Sequence, residues 1–177
     1  MKTALFIIAQ SGFQDTEYGV PRKILENAGF EITVASSQKG RCTGKFGLKT
    51  DAGYSLPEVS GAEYDVAVFI GGPGCEQEFH GNAEYFRIAR ETVSATAPSR
   101  LLAAICIAPA VLSDSGIFKG KRVTSWDDAK RSQKSRIEKN GAIHIGEDVT
   151  VDGNIITANG PEAAEKFGKM IQKMMSS

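Results

Sequence analysis

The stretch LLAAICIAPAVLSD, residues 101–114, decides the fold, because it joins an apolar strand pattern to a helical one through a cysteine. Such a sharp strand-to-helix turn, a nucleophile elbow, needs small residues two positions before and after its central side chain. Ala104 and Ala108 occupy those positions around Cys106. The stretch therefore predicts that Cys106 stands above the carboxyl end of a central strand, with the N-terminus of a helix behind it. Amides at a helix N-terminus stabilise a thiolate, so a lowered thiol pKa is expected.

Working outward, apolar strand-like runs alternate with helical patterns, which is typical of a mostly parallel sheet with helices on both faces. The pattern predicts strands at Thr3–Ala9, Glu31–Ser36, Val66–Ile70, Leu101–Ile105, Arg122–Ser125 and Val149–Thr157, the last a hairpin around Asp152-Gly153. It predicts helices at Arg22–Ala28, Asn82–Thr96, Ile107–Ser115, Asp127–Lys139 and Glu162–Met175. The helix Asn82–Thr96 is expected to be capped by Asn82 and to end near Pro98. Residues 39–57 are expected to form an irregular hairpin at the sheet edge.

The first crossover contains two residues that disfavour a helix interior, Gly19 and Pro21. Its regular helix is therefore expected only from Arg22, with Gly29 as the stop signal.

Length and charge limit the class of protein. A chain of 177 residues is slightly longer than a typical domain of roughly 150 residues, so a single domain over residues 1–177 is expected. Lys plus Arg and Asp plus Glu both total 21, which leaves no global field to attract nucleic acid or an anionic membrane. The N-terminal apolar run is too short for a signal peptide or a bilayer span. These features favour a small-molecule or protein partner.

Cys42, Cys75 and Cys106 are widely spaced and form no Cys-x-x-Cys motif, which argues against a disulfide framework and against a zinc site. Without an export signal, a reducing cytoplasm is the expected location. Cys75 lies in a glycine-rich loop and is a candidate resolving thiol for Cys106.

That loop begins with Gly71 and Gly72, directly after the predicted strand Val66–Ile70. Ligands of open α/β sheets bind outside the carboxyl ends of central strands. Backbone amides of Gly72 and Ile107 are therefore predicted to form an oxyanion hole beside Cys106. A phosphate cradle is an alternative use of the glycines, although the spacings of phosphate-binding motifs are absent. The alternative for Cys106 is a buried small hydrophobe, which is what most unpaired cysteines are.

Four motifs, in chain order, resemble the ThiJ/PfpI superfamily: VAVFIGGPG at 66–74, AAICIAP at 103–109, FKGKRVTS at 118–125 and DGNIITANGP at 152–161. Within it they are most similar to the branch of DJ-one and its bacterial ThiJ-like (YajL) relatives. The resemblance implies a flavodoxin-like three-layer α/β sandwich, usually a homodimer. We expect neither a cofactor nor a metal.

The resemblance also implies site residues. It assigns the reactive thiol to Cys106 and an acidic partner to Glu17, in the motif DTE at 15–17. In relatives this glutamate is typically protonated and donates a hydrogen bond to the cysteine. Burial beside a thiolate raises a carboxyl pKa through both desolvation and like charge. The alternative for Glu17 is an ordinary acid at a helix start that faces water.

The chain departs from the family pattern at three positions. Ile107 stands where protease-like and glyoxalase-like members carry a histidine, Trp126 where this branch usually has a histidine, and Asn159 where relatives often have an arginine. Peptidase activity is discounted, because a Cys-His pair would lack its base. The predicted pocket includes Gly71, Trp126, Asn159 and His80, whereas His144 is expected to be structural.

Two hypotheses follow for function. The first is a cysteine-dependent enzyme of glyoxalase or deglycase type that acts on small, reactive α-oxoaldehydes. The second is a non-enzymatic redox sensor or protective protein that acts through oxidation of Cys106. Flavin or nucleotide binding has little support from the residues.

Overall fold

The computed structural model describes residues 1–94 and 99–176. The strands are β1 Thr3–Ile7, β2 Ser11–Phe13, β3 Glu31–Ser36, β4 Gly40–Gly44, β5 Lys49–Ala52, β6 Tyr54–Ser55, β7 Val66–Phe69, β8 Leu101–Ile105, β9 Arg122–Val123, β10 Ile143–His144, β11 Val149–Asp152 and β12 Ile155–Ala158. The α-helices are α1 Asp15–Asn27, α2 Pro73–Phe79, α3 Ala83–Thr92, α4 Ala108–Ser113, α5 Ser132–Lys139 and α6 Ala164–Met175.

Within these residues, seven strands form the main sheet in the order β11-β12-β8-β7-β1-β3-β6. All neighbours are parallel except β11 and β12, which form an antiparallel hairpin. β1, β7 and β8 are almost entirely buried, as expected for strands covered on both faces. The chain moves from β1 to β3 on one side and then to β7 on the other, so right-handed crossovers place α1 and α3 on opposite faces. The predicted flavodoxin-like sandwich is thereby confirmed.

The reversal of strand order lies between β1 and β7, and this is the point at which ligands of open α/β sheets bind. The segments that leave the carboxyl ends of β1, β7 and β8 meet there. A small sheet of β2, β4 and β5 covers this end of β1, and its β4–β5 hairpin is the predicted irregular hairpin of residues 39–57.

The first crossover differs from the prediction, because α1 is regular from Asp15 and contains both Gly19 and Pro21. Pro21 removes only one helical hydrogen bond, and its buried ring packs against α6. Gly168 makes this approach possible, since a Cβ there would lie 2.9 Å from Pro21 Cα. Gly29 ends the helix in the left-handed region, as predicted, with φ at +82°.

Two other boundaries were predicted wrongly. The helix predicted from Asp127 begins at Ser132, because Asp127 and Asp128 cap it from outside by accepting hydrogen bonds from its first amides. The β11–β12 turn is Gly153-Asn154 rather than Asp152-Gly153, since Asp152 still pairs with Ile155.

Smaller differences affect single ends of elements. The strand predicted at Arg122–Ser125 is only the short β9, which pairs with β10 outside the main sheet. α3 is capped by Asn82 as predicted, but it ends at Thr92 with Val93 as its C-cap, earlier than the predicted end at Thr96. Pro98 lies outside the described residues. Met170, Met174 and Met175 are partly buried and pack against the core. In the described ranges, 1–94 and 99–176, no helix is long and apolar enough to cross a membrane.

Candidate active site

Cys106 occupies the elbow between β8 and α4 with φ at +64°, a conformation that non-glycine residues rarely adopt. Ala104 and Ala108 beside it are fully buried, so the tight turn has room only for small side chains there. Gly71 completes the packing, because a Cβ on it would lie 2.6 Å from Cys106 Cβ. The alternative of a buried small hydrophobe does not fit, since the cysteine is only partly buried and borders a cavity. Strain of this kind is characteristic of functional sites.

The backbone amides of Gly72 and Ile107 both donate hydrogen bonds to the Cys106 sulfur. Gly72 can do so because its φ of +104° turns the chain between β7 and α2. A side chain there would collide with the backbone, since a Cβ would lie 2.5 Å from the Gly12 carbonyl oxygen. The two amides predicted as an oxyanion hole therefore converge on the thiol.

Glu17 lies in the first turn of α1 and is fully buried, which excludes the alternative of an acid that faces water. Its Oε2 accepts a hydrogen bond from the Gly71 amide at 3.0 Å. Gln14 caps the helix by accepting the Glu17 amide on its side-chain oxygen at 2.8 Å. Among the described residues, Glu17 Oε1 has no hydrogen-bond partner of regular geometry. This carboxyl oxygen is available to the neighbouring thiol or to a bound molecule.

Burial raises the pKa of Glu17 from 4.5 to about 7, against the lowering effects of the Cys106 thiol, the Gly71 amide and Lys45. Burial, followed by the negative charge of Glu17, also raises the pKa of the Cys106 thiol. The prediction of a lowered thiol pKa is therefore wrong. The amides of Gly72 and Ile107 do act in the lowering direction, but burial outweighs them.

A cavity of about 660 Å³ opens over this pair, a size that suits a small molecule. Its lining residues are Gln14, Glu17, Lys45, Phe46, Gly72, Pro73, Glu76, Cys106, Ile107, Trp126, Gln133 and Pro161. Trp126 forms part of the cavity wall and does not fill the cavity. Its amide donates a hydrogen bond to the Cys106 carbonyl oxygen at 2.9 Å, which fixes the backbone of that wall.

Two predicted pocket residues lie elsewhere. His80 is outside the cavity lining, with a largely exposed ring that contacts Arg136 at 3.1 Å and Glu76 at 3.3 Å. Asn159 is also outside the cavity lining, and its backbone amide donates a hydrogen bond to the Asp148 carbonyl oxygen at 3.0 Å. His80 and Asn159 are close in sequence to the loops that form the pocket. Tertiary packing nevertheless leaves both residues outside the cavity lining.

The two other cysteines are fully buried. Cys75 faces the Tyr85 hydroxyl at 3.6 Å, and burial raises the pKa of its thiol to about 12. Such a thiol is poorly suited to the resolving role suggested for it, because exchange requires a thiolate with access to the partner sulfur. Burial likewise raises the pKa of Cys42.

Several lining residues were not identified from the sequence, above all Lys45 and Phe46 at the tip of the β4–β5 hairpin. The position of Gln14 could have been predicted, since it directly precedes the acidic start of a helix. No local sequence pattern predicts Lys45 and Phe46 as lining residues, because their hairpin reaches the cavity only when the small sheet folds over β1. Within residues 1–94 and 99–176, no group of three or more His, Cys, Asp or Glu residues is arranged to hold a metal ion.

Comparisons with known proteins agree with this geometry. A model of the DJ-1/PfpI family matches residues 2–174. An uncharacterized protein of Methanocaldococcus jannaschii is 33% identical over 175 residues, which cover 98% of this chain and 83% of the relative. Protein dj-1beta of Drosophila melanogaster is 31% identical, over 99% of this chain and 90% of the relative. The crystal structure of a ThiJ/PfpI domain protein from Brachyspira murdochii has a TM-score of 0.89 at 28% identity, with 98% and 96% of the two chains covered.

Proposed function

Since the chain belongs to the DJ-1/PfpI family, we propose that it is a cysteine-dependent enzyme of glyoxalase or deglycase type that acts on small, reactive α-oxoaldehydes. One observation carries the proposal: the Cys106 thiol, the Glu17 carboxyl and two converging amides share one cavity of small-molecule size. These are the nucleophile, the proton carrier and the oxyanion donors that such a reaction needs.

In the proposed reaction, the Cys106 sulfur adds to the aldehyde carbon, and the aldehyde oxygen takes a proton to give a hemithioacetal. The Gly72 and Ile107 amides stabilise the negative oxygen that forms in this step. Glu17 then removes the proton from the former aldehyde carbon and returns it to the neighbouring ketone carbon, while the hydroxyl proton of the hemithioacetal moves to the ketone oxygen. The ketone thereby becomes an alcohol and the former aldehyde carbon becomes a thioester carbonyl. The resulting thioester is hydrolysed by water, which releases the hydroxy acid and regenerates the thiol. The oxidation of one carbon balances the reduction of the other.

Glu17 suits the proton transfer because a pKa of about 7 lets it both accept and donate a proton near neutral pH. A Cys-His proteolytic mechanism has less support. Ile107 follows the cysteine, and neither His80 nor His144 is among the lining residues that the structure describes. Peptidase activity is therefore not proposed.

The test is methylglyoxal turnover by wild type and by Cys106→Ser, with Cys42→Ser as the matched loss of a thiol outside the cavity. We expect Cys106→Ser to abolish conversion to lactate and Cys42→Ser to retain it. Unchanged turnover in Cys106→Ser would eliminate the proposal.

A second candidate function, redox sensing through Cys106, is favoured by one observation. Cys106 is partly exposed, whereas Cys42 and Cys75 are fully buried. The amides beside its sulfur would also stabilise a sulfinate oxygen. Mild peroxide should oxidise Cys106 first, as followed by peptide mass; earlier oxidation of Cys42 or Cys75 would refute this function.

The domain organisation, oligomeric state, location and partners of the protein are also proposals. We infer a single-domain homodimer located in the cytoplasm, with a small carbonyl compound as ligand and no nucleic acid or membrane partner. The balanced charge of the chain supports the last point, since the Lys plus Arg count equals the Asp plus Glu count.

A further inference from the structure

The tip of the β4–β5 hairpin is fixed over the cavity by the start of α1. Asp15 accepts hydrogen bonds from the amides of Phe46 at 2.9 Å and Leu48 at 2.7 Å. The Lys45 amide donates to the Phe13 carbonyl oxygen at 2.8 Å. Gly44 allows this close approach, because a Cβ on it would lie 2.5 Å from an Asp15 carboxylate oxygen. Lys45 therefore lines the cavity from a backbone that is held on both sides.

Lys45 brings a positive charge that forms no direct ion pair among the described residues. Its ammonium lies 5.2 Å from the centroid of the Phe46 ring and forms no ion pair within 4.0 Å in residues 1–94 and 99–176. The second carboxylate of the cavity wall, Glu76, is already paired with Arg136 at 2.8 Å. The field of Lys45 reaches the base of the cavity, where it favours the ionised form of Glu17.

The same cavity thus combines a nucleophilic sulfur at its base with a cation in its wall that forms no ion pair among the described residues. A cation at this position attracts the negative end of a molecule whose other end reaches Cys106.

We propose that Lys45 is a specificity-determining residue that selects carbonyl substrates carrying a carboxylate. Resting on the proposed function, this names the substrate class of the same site: α-oxoaldehydes with a carboxylate on the side chain beyond the ketone. Lys45 contacts the carboxylate and takes no part in bond making. Phe46 and Trp126 provide apolar walls for the intervening carbons.

The first test needs no turnover, because it compares two alkylating reagents that differ in charge. Iodoacetate is an anion and iodoacetamide is neutral, and both report the same Cys106 thiolate, so the ratio of their rates isolates the attraction of the anion. Rates at Cys106 are measured by peptide mass in wild type, Lys45→Met, Lys45→Arg and Lys49→Met. Lys49 is an exposed residue of the same hairpin that does not line the cavity.

We expect the iodoacetate-to-iodoacetamide ratio to fall about fivefold or more in Lys45→Met, and to stay within about twofold of wild type in Lys45→Arg and Lys49→Met. High salt should reduce the wild-type ratio towards that of Lys45→Met. A ratio that Lys45→Met leaves unchanged, or that Lys49→Met lowers equally, overturns the role of Lys45.

The second test compares turnover of methylglyoxal with that of dioxovalerate, an α-oxoaldehyde that bears a carboxylate two methylenes beyond its ketone. Lys45→Met should lower kcat/KM for dioxovalerate about tenfold more than it lowers kcat/KM for methylglyoxal, with the difference mainly in KM, because an effect through Glu17 acts on both substrates alike. Equal effects on both substrates overturn the substrate class. If wild type converts neither aldehyde, the proposed function fails, and the alkylation ratio still decides whether Lys45 recognises anions.

Discussion

The Cys106 thiol and the Glu17 carboxyl affect each other's ionisation in opposite directions within one buried site. Burial raises the pKa of both groups, but the thiol lowers the pKa of Glu17, whereas the charge of Glu17 raises the pKa of Cys106. Near neutral pH the Glu17 carboxyl therefore titrates while the Cys106 thiol keeps its proton. The Gly71 amide stabilises the ionised carboxylate, and the amides of Gly72 and Ile107 favour the thiolate.

Glu17→Gln should separate thiol ionisation from turnover. The variant removes the charge that raises the thiol pKa, while the glutamine oxygen can still accept the Gly71 amide. We expect the midpoint of Cys106 alkylation against pH to shift to lower pH. Methylglyoxal turnover should fall by about 100-fold or more, because the proton carrier is lost. Faster alkylation together with retained turnover would contradict the role proposed for Glu17.

Stability should fall as pH rises through the titration of Glu17. Its pKa in the folded protein is about 7, against 4.5 ordinarily, so between these values the unfolded chain is ionised while the folded protein still binds the proton. The contribution of Glu17 to stability is therefore greatest below pH 4.5 and declines as the pH rises to about 7. At roughly 1.4 kcal/mol per unit, the decline amounts to about 3 kcal/mol. Denaturant unfolding of wild type and Glu17→Gln across this range measures it, and parallel pH profiles would refute the assignment.

Gly72→Ala should damage both stability and the site. Ala at φ +104° is strained, and its Cβ would meet the Gly12 carbonyl oxygen. Gly40→Ala is the matched control, because φ is +111° there and a Cβ meets nothing within 4 Å. We expect both variants to lose about 1–2 kcal/mol of unfolding free energy from strain, and Gly72→Ala to lose more. Only Gly72→Ala should slow Cys106 alkylation, since it displaces an amide from the sulfur; equal losses in both variants would argue against this account.

Asp15→Ala should loosen the hairpin tip without removing Lys45. Two backbone amides lose their acceptor, so proteolysis near Phe46 should become faster. The iodoacetate preference of Cys106 should weaken as the ammonium loses its fixed position. Asp51→Ala is the control, because Asp51 pairs with Arg41 on the exposed side of the same hairpin. A preference that Asp15→Ala leaves intact would show that the tip does not depend on this carboxylate.

Arg136→Gln should destabilise the protein at the far wall of the cavity. Arg136 is largely buried and bonds both Glu76 and Asp114, so its loss leaves two neighbouring carboxylates without their guanidinium partner. A loss of about 1–3 kcal/mol is expected in denaturant unfolding. Lys134→Gln, on the same helix, breaks only an exposed pair with Glu138 and should cost under about 0.5 kcal/mol. Similar losses in the two variants would contradict the assignment.

Local sequence patterns predicted the helices and strands where burial gives a regular apolar pattern or where a turn residue marks an end. The strand at Leu101–Ile105 has the predicted bounds, because a fully covered strand is a continuous apolar run. The strand at Glu31–Ser36 also has the predicted bounds. The first helix could not be read correctly, since the packing of Pro21 against α6 overrides its local preference. The start of α5 was missed because Asp127 and Asp128 cap the helix from outside.

The sequence by itself identified the candidate site residues. An elbow cysteine flanked by alanines and a glycine pair after a strand predicted Cys106, Gly72 and Ile107 from local backbone geometry, whereas Glu17 was predicted from the resemblance of its DTE motif to the family. Only the tertiary structure decided how these groups are ionised and what else faces them. Burial outweighs the helix-terminal amides at Cys106, and Lys45 reaches the cavity through a hairpin folded over β1. Desolvation and long-range contacts depend on the whole packed chain, so no local pattern contains them.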